Sequence, residues 1–174
     1  KVYCFNISKN NTKYTWSAEI KSIPDYKCIS PKQINMLVSS KNTGFGYPIS
    51  IQIPRVKQPL PLFVIFRALG VLSDKEICEY ILLNVEVDDQ QNMLEFLHAS
   101  IRDAGSYHSQ QECIQYITSN VMYTPINMDK EQGQKKKHEY AMDVLNNDLF
   151  PHCSTKEKTI NLLGLNFYQL LLVL

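Results

Sequence analysis

Hydrophobic and polar residues change their rhythm near residue 60 of this 174-residue chain. Before that point they alternate. In "PISIQIP", Ile49, Ile51 and Ile53 take turns with Ser50 and Gln52, the period of a strand with one buried face. "VYCFNI" (2–7), "YTWSAEIKSI" (14–23), "INMLVSS" (34–40) and "YPISIQIP" (47–54) are rich in β-branched and aromatic residues, and turns containing Asn, Lys and Gly separate them. Pro48 and Pro54 bound the last of these, as befits the ends of a strand or a sheet edge.

After Pro61 the period becomes helical. Ser73-Asp74-Lys75-Glu76 has the form of a capping box, and Ile77, Tyr80, Ile81 and Leu82 follow it as an apolar stripe. Ser109 to Glu112 repeats the device ahead of Ile114 and Ile117, and Ser154 to Glu157 repeats it ahead of Ile160, Leu163 and Phe167. Met93, Leu94, Leu97 and Ile101 predict a helix over 89–102 with Gly105 as its stop. Tyr140, Val144 and Leu145 mark another over 130–149. Strands first and helices later predict an α+β domain, a small and mostly antiparallel sheet in the N-terminal third packed with a helical C-terminal part. "LLGLNFYQLLLVL" ends on an apolar run without a cap, as expected of a helix that continues into a larger protein. The apolar run at 60–72 is shorter than the roughly 18–20 residues of a membrane span and is broken by Arg67, so it predicts core. Pro59 and Pro61 suit a helix entry there. An unpaired buried guanidinium is too costly, so Arg67 is expected to meet a carboxylate or backbone carbonyl of this domain.

Charge adds an asymmetry that the net value of +1 conceals. Residues 1–60 carry nine basic and two acidic side chains, and the remainder carries nine basic and fifteen acidic ones. Such a split marks either a polyanion-facing half or lysines that solvate an exposed sheet face. Five scattered cysteines, Cys4, Cys28, Cys78, Cys113 and Cys153, with no CxxC pair, predict reduced thiols in an intracellular protein. No basic region followed by an apolar one opens the chain, so no secretion signal is expected, and use of the glycosylation patterns at Asn6 and Asn10 is not expected either.

Candidate chemistry is sparse. Gly44-Phe45-Gly46 is a turn between strands rather than a phosphate loop leading into a helix. His152-Cys153 lacks paired ligands at short spacing, the nearest other being His138, so no metal site is expected. Asp88-Asp89 falls where a helix begins, its favoured end for negative charge, and Lys135-Lys136-Lys137 reads as a solvated helix face. No nucleophile–base pair is recognisable, and no catalytic residue is assigned.

"IQIPRVKQPLPLFVIFRALGVLSDKEICEYIL" (51–82) closely resembles the second-largest subunit of multisubunit DNA-directed RNA polymerases, of the eukaryotic RNA polymerase II type and related viral enzymes. The resemblance rests on Lys57-Gln58-Pro59-Leu60-Pro61, on "VIFRALG" from Val64 to Gly70, and on Ser73-Asp74. "SAEIKS" (17–22), "KKKHEYAMDVLNNDLFPH" (135–152) and "LLGLNFYQLLL" (162–172) resemble family segments in the same order. Gln169 replaces a usual arginine, Leu165-Asn166 replaces Tyr-Met, and residues 103–134 depart further. The resemblance implies the lobe, domain 2, over residues 9–174, with 1–8 closing the preceding protrusion domain. Arg67, Gly70, Ser73 and Glu76 are then its structural signature. It implies a wall of the DNA cleft near downstream duplex, contacts with other polymerase subunits, above all the largest, and a docking surface for a TFIIF-like initiation factor. The alternative function is a protein-interaction module that docks initiation factors and barely touches DNA. The magnesium of the family's active centre would belong to the largest subunit, with no cofactor in this segment. Location would be nuclear for a cellular enzyme, cytoplasmic or in the virion for a viral one. Lys41, Arg55 and Lys57 are the candidate phosphate-facing residues.

Overall fold

The alternating segments form strands that hydrogen-bond in chain order. In the computed structural model, which describes residues 2–9, 12–24, 30–82, 88–153 and 155–172, β1 (Val2–Lys9), β2 (Tyr14–Ile23), β3 (Lys32–Ser39), β4 (Ile49–Gln52) and β5 (Leu60–Pro61) make one antiparallel sheet of order β1-β2-β3-β4-β5. Register follows the hydrophobic pattern, because a slip of one residue would turn every apolar side chain to water. One rung runs Ile7–Ala18–Met36–Ile51–Leu60, and a neighbouring rung pairs Ile20 with Ile34. From Ala18 to Leu60 these side chains are almost wholly buried.

Pro48 and Pro54 flank β4 without interrupting it, and β4 lies inside the sheet because the two residues of β5 cover its outer side. So short a strand has no legible alternation. β1 pairs with β2 as far as Lys9 opposite Trp16 and is an edge strand of this sheet. Cys28 lies outside the described residues.

Helices α1 (Leu62–Ala68), α2 (Asp74–Leu82), α3 (Asp88–Asp103), α4 (Gln110–Asn120), α5 (Lys130–Asn147) and α6 (Lys156–Leu171) follow. The "PLPLFVIFRALG" run becomes α1, and every residue from Leu62 to Ala68 is buried. None of the described helices is long and apolar enough to cross a membrane. Phe63 and Phe66 are fully buried, and each such side chain contributes roughly 1.5–3 kcal/mol of transfer free energy. α1 ends in a Schellman motif: Val71 N–H donates to the Phe66 carbonyl at 3.0 Å, Gly70 N–H donates to Arg67 O at 3.1 Å, and Gly70 takes φ +106°.

The capping box at Ser109 forms in both directions, with Glu112 N–H donating to Ser109 Oγ and Ser109 N–H to Glu112 Oε2. For α6 the cap falls one residue later than expected and, with Lys158 at the third position, is a single bond rather than a box. Thr155 is the cap, accepting from Lys158 N–H, and Ser154 lies outside the described residues. Ser and Thr are both favoured caps, so residue type alone does not settle which of two adjacent candidates is used. α2 begins after Ser73, whose carbonyl accepts the Ile77 N–H. α5 takes Asp129 as its cap.

Candidate nucleic-acid interface

Two arginine anchors, Arg67 buried and Arg55 part-buried, hold the segment that links sheet and helices, and the candidate lysines project from the loops around it. At the first anchor, Arg67 is 4% exposed near the end of α1. Its Nη1 donates to the carbonyls of Ala104 at 2.7 Å and Tyr107 at 2.5 Å, and its Nη2 meets Asp74 Oδ1 at 2.5 Å. The expected partner is therefore of both kinds at once. Asp74 opens α2 and the two carbonyls follow the last turn of α3, so one guanidinium ties three helices. Gln110 Nε2 adds a bond to the Ala68 carbonyl, tying α4 to the end of α1.

Gly70 lies between Arg67 and Asp74 at the positive φ that the sharp exit from α1 requires. Ser73 precedes the first residue of α2, and Glu76 is exposed one turn in, beside a hollow shared with Glu79, Tyr80, Asn161 and Leu165. Cys78, buried on the same helix, has its thiol pKa pushed up to about 11, mainly by burial and then by Asp74 and Glu79.

Arg55 forms the second anchor. Its φ of +67° is a strained choice for a side chain of that size, and the flanking backbone is tied on both sides. Met122 N–H donates to Arg55 O at 2.8 Å, Lys57 N–H donates to Asn120 O at 2.8 Å, and Val56 bridges to Val121. The guanidinium reaches α5, donating to Asp148 Oδ2 at 2.5 Å and to Asp143 Oδ2 at 2.8 Å, with its Cζ 4.9 Å from the centre of the Tyr140 ring. Lys32 Nζ stands 3.5 Å from the other Asp148 oxygen. Asp148 is 1% exposed, so these two cations are what make its charge tolerable there. Arg55 holds the Asp143 carboxyl below the usual carboxylate range.

The three candidate phosphate-facing residues thus part company. Arg55 is committed to two carboxylates and a ring inside the domain. Lys41 is exposed on the β3–β4 hairpin, and Lys57 is exposed beyond the far end of β4, so they do not share a cluster. Asp143 and Asp148 escape a reading of the sequence because they lie 88 and 93 residues from Arg55. Asp74, seven residues from Arg67 across the Gly70 turn, is the one partner that local spacing could have suggested.

An antiparallel sheet joined to a helical layer through a segment held by Arg55 and Arg67 defines an α+β domain. Its sequence matches the family model described as RNA polymerase Rpb2, domain 2 over residues 1–173, and the chain belongs to that family. It is 35% identical over 178 aligned positions to DNA-directed RNA polymerase II subunit RPB2 of Encephalitozoon cuniculi, covering 99% of this chain and 14% of that protein. It is 30% identical over 166 positions to DNA-directed RNA polymerase II subunit 2 of Arabidopsis thaliana, covering 90% of this chain and 13% of that one. The archaeal subunit Rpo2 of Saccharolobus solfataricus is 25% identical over 130 positions, 68% of this chain and 10% of that protein. The chain thus spans about a seventh or less of the length of these relatives.

Proposed function

We propose that this domain is the lobe of a second-largest RNA polymerase subunit, forming one wall of the DNA cleft without carrying out the chemistry itself. The supporting observation is the family match over residues 1–173, joined to a first third that is strongly basic and places Lys41 and Lys57 at its surface. A cleft wall needs cations that attract phosphates and ignore bases, because an elongating enzyme must pass every sequence. Lysines scattered over loops suit that task, and Arg55 fixes the segment that carries Lys57.

Nucleotide addition belongs to the assembled polymerase on this proposal, with the largest subunit and downstream duplex as neighbours and a TFIIF-like factor on the outer surface. On the same proposal the magnesium of the active centre belongs to the largest subunit, and this domain is assigned no ligand to it. A nuclear location follows for a cellular enzyme of the RNA polymerase II type. Polymerase carrying Lys41→Gln with Lys57→Gln should release DNA with a weaker dependence on salt than the parent enzyme. Unchanged salt dependence with impaired factor binding would place the surface among docking modules instead.

A further inference from the structure

One end of the sheet combines exposed aromatic rings with cations in a way that phosphate attraction alone does not require. Ser40 donates both its N–H, at 3.0 Å, and its hydroxyl, at 2.7 Å, to the Lys13 carbonyl, drawing the β1–β2 and β3–β4 connections together. Asn42 Oδ1 accepts from the amides of Gly44 and Gly46, which stiffens the second hairpin. Phe45 packs edge-on to His98 and beneath Arg102, and Ser100 Oγ accepts the Ile49 N–H, so this hairpin is locked onto α3.

These ties leave a hollow of about 270 Å³ lined by Thr15, Trp16, Val38, Ser40, Tyr47 and Phe96. Tyr47 is 46% exposed and Phe96 40% exposed. Lys9 Nζ lies 5.5 Å from the centre of the Trp16 ring and Lys13 Nζ lies 5.6 Å from that of Tyr14, with Lys41 on the adjoining loop. Residues 6–16 and 39–50 contain no carboxylate, and α3 brings Glu95 beside Phe96 and Arg102 beyond it.

We propose that this hollow binds single-stranded nucleic acid, an unpaired base stacking on Phe96, Tyr47 and Trp16 while neighbouring phosphates meet Lys9, Lys13 and Lys41. Aromatic faces within a cationic rim are the two components of sequence-tolerant single-strand binding. A duplex would satisfy the lysines but could not use the hollow, since its base faces are already stacked on one another. An uncharged apolar partner would use the hollow but would strip water from three ammonium groups with nothing to replace it. The site deepens the cleft-wall proposal and rests on it for the source of the strand, a polymerase being where paired DNA is opened.

Trp16 is the chain's single tryptophan, so its fluorescence reports on the hollow directly. The 174-residue chain is titrated with an oligothymidylate of about 12 nucleotides, with a duplex of equal charge, and with polyglutamate. The single strand should quench Trp16 and bind about 10-fold tighter than either competitor. Phe96→Leu and Tyr47→Leu, which keep apolar bulk but lose the stacking face, should each weaken it about 5- to 10-fold. Equal affinity for duplex or polyglutamate, unaltered Trp16 emission, or wild-type binding by both leucine variants would overturn the proposal. Retention of DNA by the assembled polymerase with and without Lys57, which lies outside the hollow, tests the cleft wall separately.

Discussion

Gly164 sits where α6 crosses α2, and its replacement by alanine gives the sharpest test of how the helical layer is built. A Cβ added there would lie 2.3 Å from Tyr80 O, 2.8 Å from Tyr80 C and 3.4 Å from Ile81 N. All three are backbone atoms in the last turn of α2, so no side-chain rotation relieves the clash. An ordinary carbon–oxygen contact needs about 3.3 Å, so the helices must part by about 1 Å. A gap of that size forfeits roughly a quarter to a half of each dispersion contact around it, and Ile77, Ile81, Ile160, Leu163 and Phe167 are all buried on these two helices. Overpacking of this kind costs about 3 kcal/mol, and alanine's better helix propensity returns about 1 kcal/mol. The net expectation is a loss of about 2 kcal/mol, or a fall in Tm of about 4–8 °C for a domain of this size. Urea unfolding followed by circular dichroism measures it as a lower midpoint at unchanged slope. Leu165→Ala, at an exposed position of the same helix, should move stability by less than about 0.5 kcal/mol. A Gly164→Ala protein as stable as the parent, or more stable, would refute the close crossing.

The two anchors give different signatures. Arg67→Met keeps the apolar stem but leaves the Ala104 and Tyr107 carbonyls and Asp74 without their donor, and should cost about 3 kcal/mol in chemical denaturation; Arg67→Lys should recover only part, because one ammonium cannot reproduce the planar fork. Loss of less than about 0.5 kcal/mol in Arg67→Met would mean that the guanidinium does not organise the three helices. The Arg55–Asp143 pair predicts a pH dependence. Asp143 has a depressed carboxyl pKa in the folded state, so its contribution is complete above the ordinary value of about 3.9 and disappears as pH falls through the lower folded value. Asp143→Asn should therefore start less stable near neutrality and lose stability less steeply than the parent below about pH 5. Parallel stability curves would contradict that pairing.

Strands and helices were legible in the chain because each has a buried face and hence a period. The Ile49-Ile51-Ile53 alternation located β4, and the spacing of Ile160, Leu163 and Phe167 located α6. The core assignment of α1 followed from length and from Arg67, since a charge in a short apolar run needs a partner inside protein. β5 was not legible, because two residues have no period, and the cap of α6 was off by one because Ser154 and Thr155 are chemically alike. The setting of Arg55 was the largest gap. Its sequence neighbours are Pro54 and Val56, and both carboxylates arrive from α5 only once the sheet has packed on the helices. Charge composition singled out a basic third but could not separate exposed Lys41 and Lys57 from an arginine held by two aspartates.

The cleft-wall account is tested most directly by the salt dependence of DNA retention in an assembled polymerase carrying this domain. Logarithmic plots of DNA affinity against salt are compared for the parent, Lys41→Gln, Lys57→Gln and the double variant. Each lysine that neutralises a phosphate should reduce the slope by about 1, and the double variant by about 2, whatever the DNA sequence. Superimposable slopes for all four enzymes would contradict the account.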